Sequence, residues 1–516
     1  MDSPPVPDAT THQIRGGSLL VAGRVIALAI NFASQVLIAR YLSKTDFGAF
    51  AYALSIVLLG QSIVTFGLDR AIARFVPIYQ ERGDWGRLFG TIVMVLAIMG
   101  SLGLALVLLV HGVQGFIGRS VISDPEALAL LTVLIILSPV QAVDDLMLGM
   151  FAVFSRPREI FFRRYVLAPG LKLGVVILLV AGGAGVRFLA WGYLVAGLLG
   201  VAVYSVVLFG VLARQGLFRH FDRRTLRIPA AEVLGFTIPL LSSDLVNMVM
   251  ASSDVILLGR FRNTAEVAAF RVVLPAAKLN ELVLVAFTLL YTPLAARLFA
   301  RGDREGIDRL YWETAIWMAV ISFPIFALTF GLAKPMTTLL FGERYASSGV
   351  FLALLSFGYY FNAALGFNGL TLKVFGRLRY IVGLNLLTVV VNIGVNLLLI
   401  PRYGALGAAI GTSGTLVAHN LLKQAGLRLG TGIALFQRRY LRVYLSVGLG
   451  AAGLGAVQLL VSSVYVGIAL AGVASFLVLH LNRDLLRVHE TFPELLRLPL
   501  ARRLLGVSGE GPRCSR

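Results

Sequence analysis

The feature that most constrains this chain is a succession of long apolar segments separated by short breaks that carry charge, glycine or proline. A helix that spans a bilayer needs about 20 mainly apolar residues. Of the 516 residues, 58% are hydrophobic and 14% are charged, whereas an average soluble domain has about 25% charged residues. The sequence therefore predicts an all-α polytopic membrane protein. This composition excludes a soluble enzyme and a disordered chain. A disulfide scaffold is also excluded, since Cys514 is the one cysteine.

The apolar windows predict about 14 transmembrane helices. They cover residues 18–39, 47–69, 88–111, 127–152, 165–182, 187–212, 232–258, 267–291, 311–333, 347–371, 380–400, 404–422, 440–460 and 463–481. An even number of spans places both termini on the same side. Arginine and lysine concentrate in alternate loops, so the positive-inside rule predicts cytoplasmic termini. The net charge of +20 has the same explanation and does not indicate nucleic-acid binding.

Short internal repeats indicate two related halves. Ala39–Phe50 (ARYLSKTDFGAF) recurs as Gly259–Phe270 (GRFRNTAEVAAF). Two more pairs have a similar spacing of about 220 residues, namely Glu81–Asp84 with Ala300–Asp303 and Phe154–Arg158 with Phe375–Arg379. Because each half has an even number of spans, the halves share one membrane orientation, with a pseudo-two-fold axis along the membrane normal.

The repeat predicts two six-helix lobes followed by a helix pair. The expected organisation is a cytoplasmic N-terminal tail at 1–17, an N-lobe at 18–228, a C-lobe at 229–436, a C-terminal helix pair at 437–482 and a basic cytoplasmic tail at 483–516. Parallel halves of this kind usually enclose a central cavity and rock around it.

The block ARYLSKTDFGAFAY after the first helix resembles the polysaccharide-biosynthesis (Wzx-type) flippases of the multidrug/oligosaccharidyl-lipid/polysaccharide exporter superfamily. The stretches Phe66–Asp84 (FGLDRAIARFVPIYQERGD) and Arg402–Thr412 (RYGALGAAIGT) strengthen the resemblance, which covers nearly the whole chain. It implies two lobes that alternate between inward- and outward-open states and so turn over undecaprenyl-diphosphate-linked sugars. The C-terminal helix pair is similar to the extra helices of the lipid-handling branches.

Cations inside predicted spans are candidate substrate ligands, because a charge at mid-membrane is costly unless it faces a cavity or a partner. Arg24 lies seven residues before Asn31 and eleven before Gln35, so a helix places all three on one face. Arg271 and Lys278 are also seven apart and are expected to share a face of the eighth helix. The resemblance implies that positive residues on the first and eighth helices bind the diphosphate.

Guanidinium groups pair bidentately with phosphate oxygens and remain charged. We therefore predict that Arg24, Arg271 and Lys278 hold the diphosphate, while the amides of Asn31 and Gln35 contact the sugar. Arg70, at the end of the second span, is a further cavity cation or the partner in a salt bridge at a helix end.

Coupling to Na⁺ or H⁺ would require a carboxylate inside the membrane. Asp244 is the candidate, with oxygens from Asn385, Asn392 or Thr412 as further ligands, and structural pairing is the alternative. The resemblance implies a cation near the seventh, eleventh and twelfth helices. Apart from this ion, the sequence predicts no cofactor and no metal site.

Metalloprotease, P-loop and nucleophile-elbow motifs are absent from the sequence, so an enzyme is not expected and no catalytic residue is predicted. The expected function is translocation of a polyprenyl-diphosphate-linked oligosaccharide in a lipopolysaccharide, capsule or exopolysaccharide pathway of the bacterial inner membrane. Partners would be this substrate, membrane lipids and, without direct support, a polymerase or glycosyltransferase. The alternatives are a cation-coupled multidrug exporter, with a cavity of acids and aromatics, and a membrane-embedded polymerase or ligase, which needs a large outer domain.

Overall fold

The computed structural model describes residues 7–120, 122–154, 156–460 and 463–486, and every regular element in these ranges is a helix. Ten helical segments of this part of the chain are long and apolar enough to cross a membrane. The other four predicted spans fall on helices at 230–261, 405–431 and 441–460 and on an interrupted helical stretch at 264–300. The prediction of an all-α polytopic membrane protein is confirmed.

The chain forms two compact units, and the first comprises residues up to Val272 together with Ile393–Ala408. Its helices are α1 (Pro7–Tyr41), α2 (Lys44–Thr65), α3 (Leu68–Glu81), α4 (Trp85–Gly112), α5 (Gln114–Ser120), α6 (Pro125–Leu134), α7 (Leu137–Val153), α8 (Pro157–Phe161), α9 (Ala168–Ala181), α10 (Val186–Arg214), α11 (Ala230–Phe261) and α12 (Thr264–Arg271). A π-helix at Phe162–Leu167 joins α8 to α9, and a 3₁₀ turn, Leu217–His220, follows α10.

The second unit comprises Val273–Asn392 and the chain from Ala409 onward. Its helices are α13 (Leu274–Lys278), α14 (Leu282–Ala300), α15 (Arg304–Gly331), α16 (Ala333–Phe341), α17 (Gly349–Ala364), α18 (Asn368–Val374), α19 (Leu378–Tyr403), α20 (Ala405–Thr431), α21 (Leu441–Leu460) and α22 (Val464–Leu486). Helices α19 and α20 continue into the first unit. The lobe boundaries drawn from the repeat stay a prediction.

Helix α2 is the centre of the first unit, where it packs against α6, α7, α11 and α12. Its contact with α11 and α12 is close because both sides use glycine. A Cβ on Gly48 would lie 1.7 Å from the carbonyl oxygen of Thr264, and a Cβ on Gly259 would lie 2.6 Å from the ring of Tyr52. We call this contact of Gly48, Tyr52, Gly259 and Thr264 the α2–α12 seam. It joins the two copies of the first sequence repeat.

Polar contacts surround the α2–α12 seam. The hydroxyl of Thr264 donates to Oδ2 of Asp124 at 2.7 Å, and the amide of Ala405 donates to Oε2 of Glu266 at 2.8 Å. Arg262 donates through its guanidinium to the carbonyl oxygen of Arg402 at 2.7 Å. These residues lie at the ends of helices whose connecting loops carry few cations, which the sequence assigns to the outer side.

The repeats also share their helix-start chemistry. Ser43 and Asn263 each accept a hydrogen bond from the amide three residues later, at the starts of α2 and α12. Asp84 and Asp303 do the same at the starts of α4 and α15, each after a glycine with positive φ. Side-chain acceptors at this position satisfy amides that have no partner within the helix.

The second unit is built around α15, which packs against α14, α17, α21 and α22. Trp312, Phe323 and Phe326 lie buried in its core. Some buried polar groups there are paired, for example the Tyr311 hydroxyl, which donates to Oε1 of Gln424 at 2.5 Å. Such pairing offsets the free energy that burying a polar group in an apolar core costs.

Helical structure continues beyond the end of the second predicted span. The loop predicted to begin at Arg70 is helical as far as Glu81, because α3 continues α2 after a kink. Phe66 (φ 50°) and Gly67 (φ 68°) form this kink in the left-handed region, which is costly for phenylalanine. Arg70 therefore lies in the first turn of a helix.

We predict that Gly48→Ala lowers the free energy of unfolding by about 1–3 kcal/mol, because the new methyl group overlaps a backbone carbonyl that cannot rotate away. Gly100→Ala on α4 is the control, since a Cβ at Gly100 meets no atom within 4 Å. Thermal melting of the detergent-purified proteins measures the difference. Equal melting temperatures for the two variants would contradict the close packing of the seam.

Candidate functional site

The polar face predicted for the first helix is present. Helix α1 is continuous from Pro7 to Tyr41, so Arg24, Asn31 and Gln35 lie on one side of it. The side chains of Arg24 and Asn31 are exposed, and Gln35 is half-buried. Among the described residues Arg24 has no ion-pair partner. An unpaired guanidinium is costly in hydrocarbon and is stable in water or beside an anion.

Gln35 connects this face to the end of α12. Its Nε2 atom donates to the backbone carbonyl oxygen of Arg271 at 3.1 Å. In a continuous helix that carbonyl would accept from the amide four residues later, but residue 275 is proline and has no N–H group. Gln35 thus supplies the donor that the backbone lacks.

The prediction that Arg271 and Lys278 share one face of an unbroken eighth helix is wrong, because α12 ends at Arg271 and α13 begins at Leu274. Pro275 is the physical reason, because it removes the hydrogen bond that would have joined the two segments. The break leaves Arg271, which is half-buried, in the first unit and Lys278, which is exposed, in the second.

The three positions on α1 differ in depth. Eleven residues separate Arg24 from Gln35, which corresponds to about 16 Å along the helix axis. Since Gln35 contacts the backbone of Arg271, Arg24 and Arg271 differ in depth by a similar distance.

Arg70 is exposed at the start of α3, next to the kink at Phe66.

A buried ion pair in the first unit was missed by the sequence analysis. Arg163, which looked like a loop arginine, lies in the π-helix and donates to Oδ1 of Asp144 at 2.7 and 2.8 Å. Its guanidinium occupies the space over Gly200, where a Cβ would come within 2.9 Å of it. The neighbouring Asp145 accepts at 2.7 Å from Nε2 of Gln61. Both aspartates are therefore paired.

The second unit contains a chain of hydrogen-bonded amides that ends at a carboxylate. Asn362 donates to Oε1 of Glu281 at 2.5 Å, and Asn420 donates to Oδ1 of Asn362 at 2.8 Å. Lys278 lies one turn before Glu281, and its ammonium group is 5.9 Å from the centre of the Tyr359 ring. The sequence signal for Glu281 was a carboxylate within a predicted span.

The residues predicted for ion coupling make separate contacts. The ring of His419 is hydrogen bonded to Oδ1 of Asn385 at 3.1 Å, and Asn392 donates to the hydroxyl of Thr415 at 3.5 Å. Thr412 is half-buried. The side chain of Asp244 lies outside the described residues. The cation site therefore stays a prediction.

We predict that Gln35→Leu lowers the melting temperature, because it removes the hydrogen bond from Gln35 to the Arg271 carbonyl at a cost of about 1–2 kcal/mol. Adding Pro275→Ala restores a backbone amide four residues after Arg271 and should recover most of the loss. Melting of the two single variants and the double variant forms a mutant cycle. Strictly additive effects would contradict the assigned role of Gln35.

Solved structures with a similar fold are membrane transporters. The lipid II flippase MurJ in an inward closed conformation superposes with a TM-score of 0.71 at 14% identity, covering 90% of this chain and 99% of that chain. An inward-facing multidrug resistance MATE family transporter of the MOP superfamily gives a TM-score of 0.57 at 14% identity, covering 83% and 95%. At these identities the likeness shows a shared fold.

Sequence comparison identifies the family. The succinoglycan biosynthesis transport protein ExoT of Rhizobium meliloti is 23% identical over 332 residues, which cover 63% of this chain and 62% of ExoT. The family model described as polysaccharide biosynthesis protein matches residues 37–350, more than half of the chain. This chain therefore belongs to the polysaccharide biosynthesis protein family.

Proposed function

We propose that this protein is a flippase that moves a polyprenyl-diphosphate-linked oligosaccharide across the bacterial inner membrane, with both termini in the cytoplasm. The observation that carries the proposal is the polar face of α1, where exposed Arg24 and Asn31 lead to Gln35 and the broken end of α12. The family and the fold shared with MurJ support it. A glycosyltransferase would supply the substrate and a polymerase would use the product.

The separation of the arginines suggests an order of binding. Arg24 receives the diphosphate near the cytoplasmic side of the membrane. Arg271, about 16 Å further along the helix axis, takes it deeper. Charge-assisted bonds to phosphate oxygens offset part of the cost of removing the diphosphate from water. Asn31, between the two levels, donates to sugar hydroxyls, and Arg70 adds positive charge.

Alternating access requires the outer end to open. We assign this step to the α2–α12 seam, where the contacts of Asp124, Thr264 and Glu266 would separate as the sugar leaves. A multidrug exporter is the competing function, because the MATE fold is similar. The exposed guanidinium of Arg24 favours an anionic substrate over cationic drugs.

The proposed function is tested by deleting the gene and measuring lipid-diphosphate oligosaccharide in the cytoplasmic leaflet. We expect it to accumulate while surface polysaccharide falls. The wild-type gene and Arg82→Ala, a control at an exposed loop arginine, should restore export. Arg24→Ala and Arg271→Ala should not, because each removes a phosphate ligand. Rescue by both would refute the site, and unchanged lipid and polysaccharide levels would favour the drug exporter.

We also predict that joining Asp124 to Thr264 blocks transport. In a Cys514→Ser background, Asp124→Cys with Thr264→Cys should form a disulfide on oxidation, since the native side chains are hydrogen bonded at 2.7 Å. Flipping in reconstituted vesicles should stop and should return after reduction. The single-cysteine variants are the controls. Full activity of the disulfide-bonded protein would show that the seam stays closed during transport.

A further inference from the structure

Helices α15 and α21 of the second unit border a groove that is polar at one end. This end has a volume of about 480 Å³ and lies where α15 begins and the 3₁₀ turn Arg438–Tyr440 leads into α21. Arg304, Arg309 and Arg439 line it, and all three side chains are exposed. Two carboxylates, Glu305 and Asp308, also line it, so its five charged side chains include more cations than anions.

A second, apolar pocket lies further along the same two helices. Trp312 lines both parts, and beyond it Ala319 and Phe330 of α15 face Tyr444 and Val447 of α21 across a volume of about 490 Å³. From Trp312 to Phe330 the helix rises about 27 Å. This is longer than the hydrocarbon half of a bilayer, about 15 Å. We call the whole feature the α15–α21 groove.

Two polar atoms at the junction of the parts have no hydrogen-bond partner in the described portion of the chain. They are Nε1 of Trp312, which is almost fully buried, and Oδ1 of Asp308, one turn earlier on α15. The other carboxylate oxygen of Asp308 accepts from Nε2 of Gln437 at 3.0 Å. A hydroxyl group suits both atoms, because it can accept from an N–H donor and donate to a carboxylate oxygen.

The geometry points to a phospholipid. We propose that the α15–α21 groove binds an anionic phospholipid with a hydroxylated headgroup, of the phosphatidylglycerol type. The phosphate would bind Arg304, Arg309 and Arg439, a headgroup hydroxyl would bridge Trp312 and Asp308, and one acyl chain would fill the apolar channel. A lipid so placed keeps its headgroup at the end of a spanning helix, as in the bilayer. The site is independent of the proposed flippase activity.

The charge requirement is tested by native mass spectrometry of the delipidated full chain titrated with phosphatidylglycerol or phosphatidylcholine. Phosphatidylglycerol should bind more tightly. The triple variant Arg304→Gln, Arg309→Gln, Arg439→Gln should weaken it at least about tenfold. The control, with the same three changes at exposed Arg297, Arg301 and Arg438, should not. Equal affinity for the two lipids, or equal losses in the two triple variants, would overturn the proposal.

The two ends of the groove are tested separately. Trp312→Phe keeps an aromatic ring but removes the indole N–H, so it should abolish a preference for phosphatidylglycerol over phosphatidic acid. Gly448→Leu, at a position where a Cβ meets no atom within 4 Å, extends into the apolar channel and should reduce lipid binding, whereas Gly453→Leu on the same helix should not. A retained preference in Trp312→Phe, or undiminished binding in Gly448→Leu, would refute the site.

Competition identifies the occupant. Glycerol 3-phosphate, a headgroup without chains, should compete weakly because it cannot fill the apolar channel. Undecaprenyl phosphate should also leave phosphatidylglycerol bound. Displacement of phosphatidylglycerol by equimolar undecaprenyl phosphate would assign the groove to a polyprenyl chain, and strong competition by glycerol 3-phosphate would assign it to a soluble phosphate. Either result would overturn the proposal.

Discussion

The structure depends on the backbone contact between Gly48 and Thr264. Two helices can approach this closely only where one has no side chain, and dispersion attraction falls steeply with any added gap. The approach positions Thr264 to donate to Asp124 and Glu266 to accept from Ala405. A short contact surrounded by a few polar bonds can separate as a unit, which suits the opening step that we propose for it.

Interrupted helices leave polar backbone groups that side chains from other helices can satisfy. The break between Arg271 and Leu274 exposes a carbonyl group, and the side chain of Gln35 satisfies it from another helix. Irregular backbone at membrane depth is tolerated where protein or water covers it. The kink at Phe66 and Gly67 is another interruption in the first unit. A new helix, α3, begins after it, and Arg70 lies in the first turn of this helix.

Hydropathy and the positions of arginine were sufficient to predict an all-α membrane protein, and helical spacing placed Arg24, Asn31 and Gln35 on one face. The same reasoning failed at Lys278 because spacing alone ignores the missing N–H of Pro275. The burial of Arg163 could not be predicted from the neighbouring sequence, because an arginine next to other arginines is typical of an exposed loop. Its packing against Gly200 in the folded structure shows that it is buried.

The two close-packed glycines place different limits on how this family can diverge. At Gly200 the obstacle is the guanidinium of Arg163, so a larger residue becomes acceptable once the arginine and its partner Asp144 are replaced together. At Gly48 the obstacle is a peptide carbonyl, which every amino acid carries. No second substitution can make room there. Arg163, Asp144 and Gly200 can thus be replaced together among relatives. The position of Gly48 is expected to remain glycine for as long as the two helices are in contact.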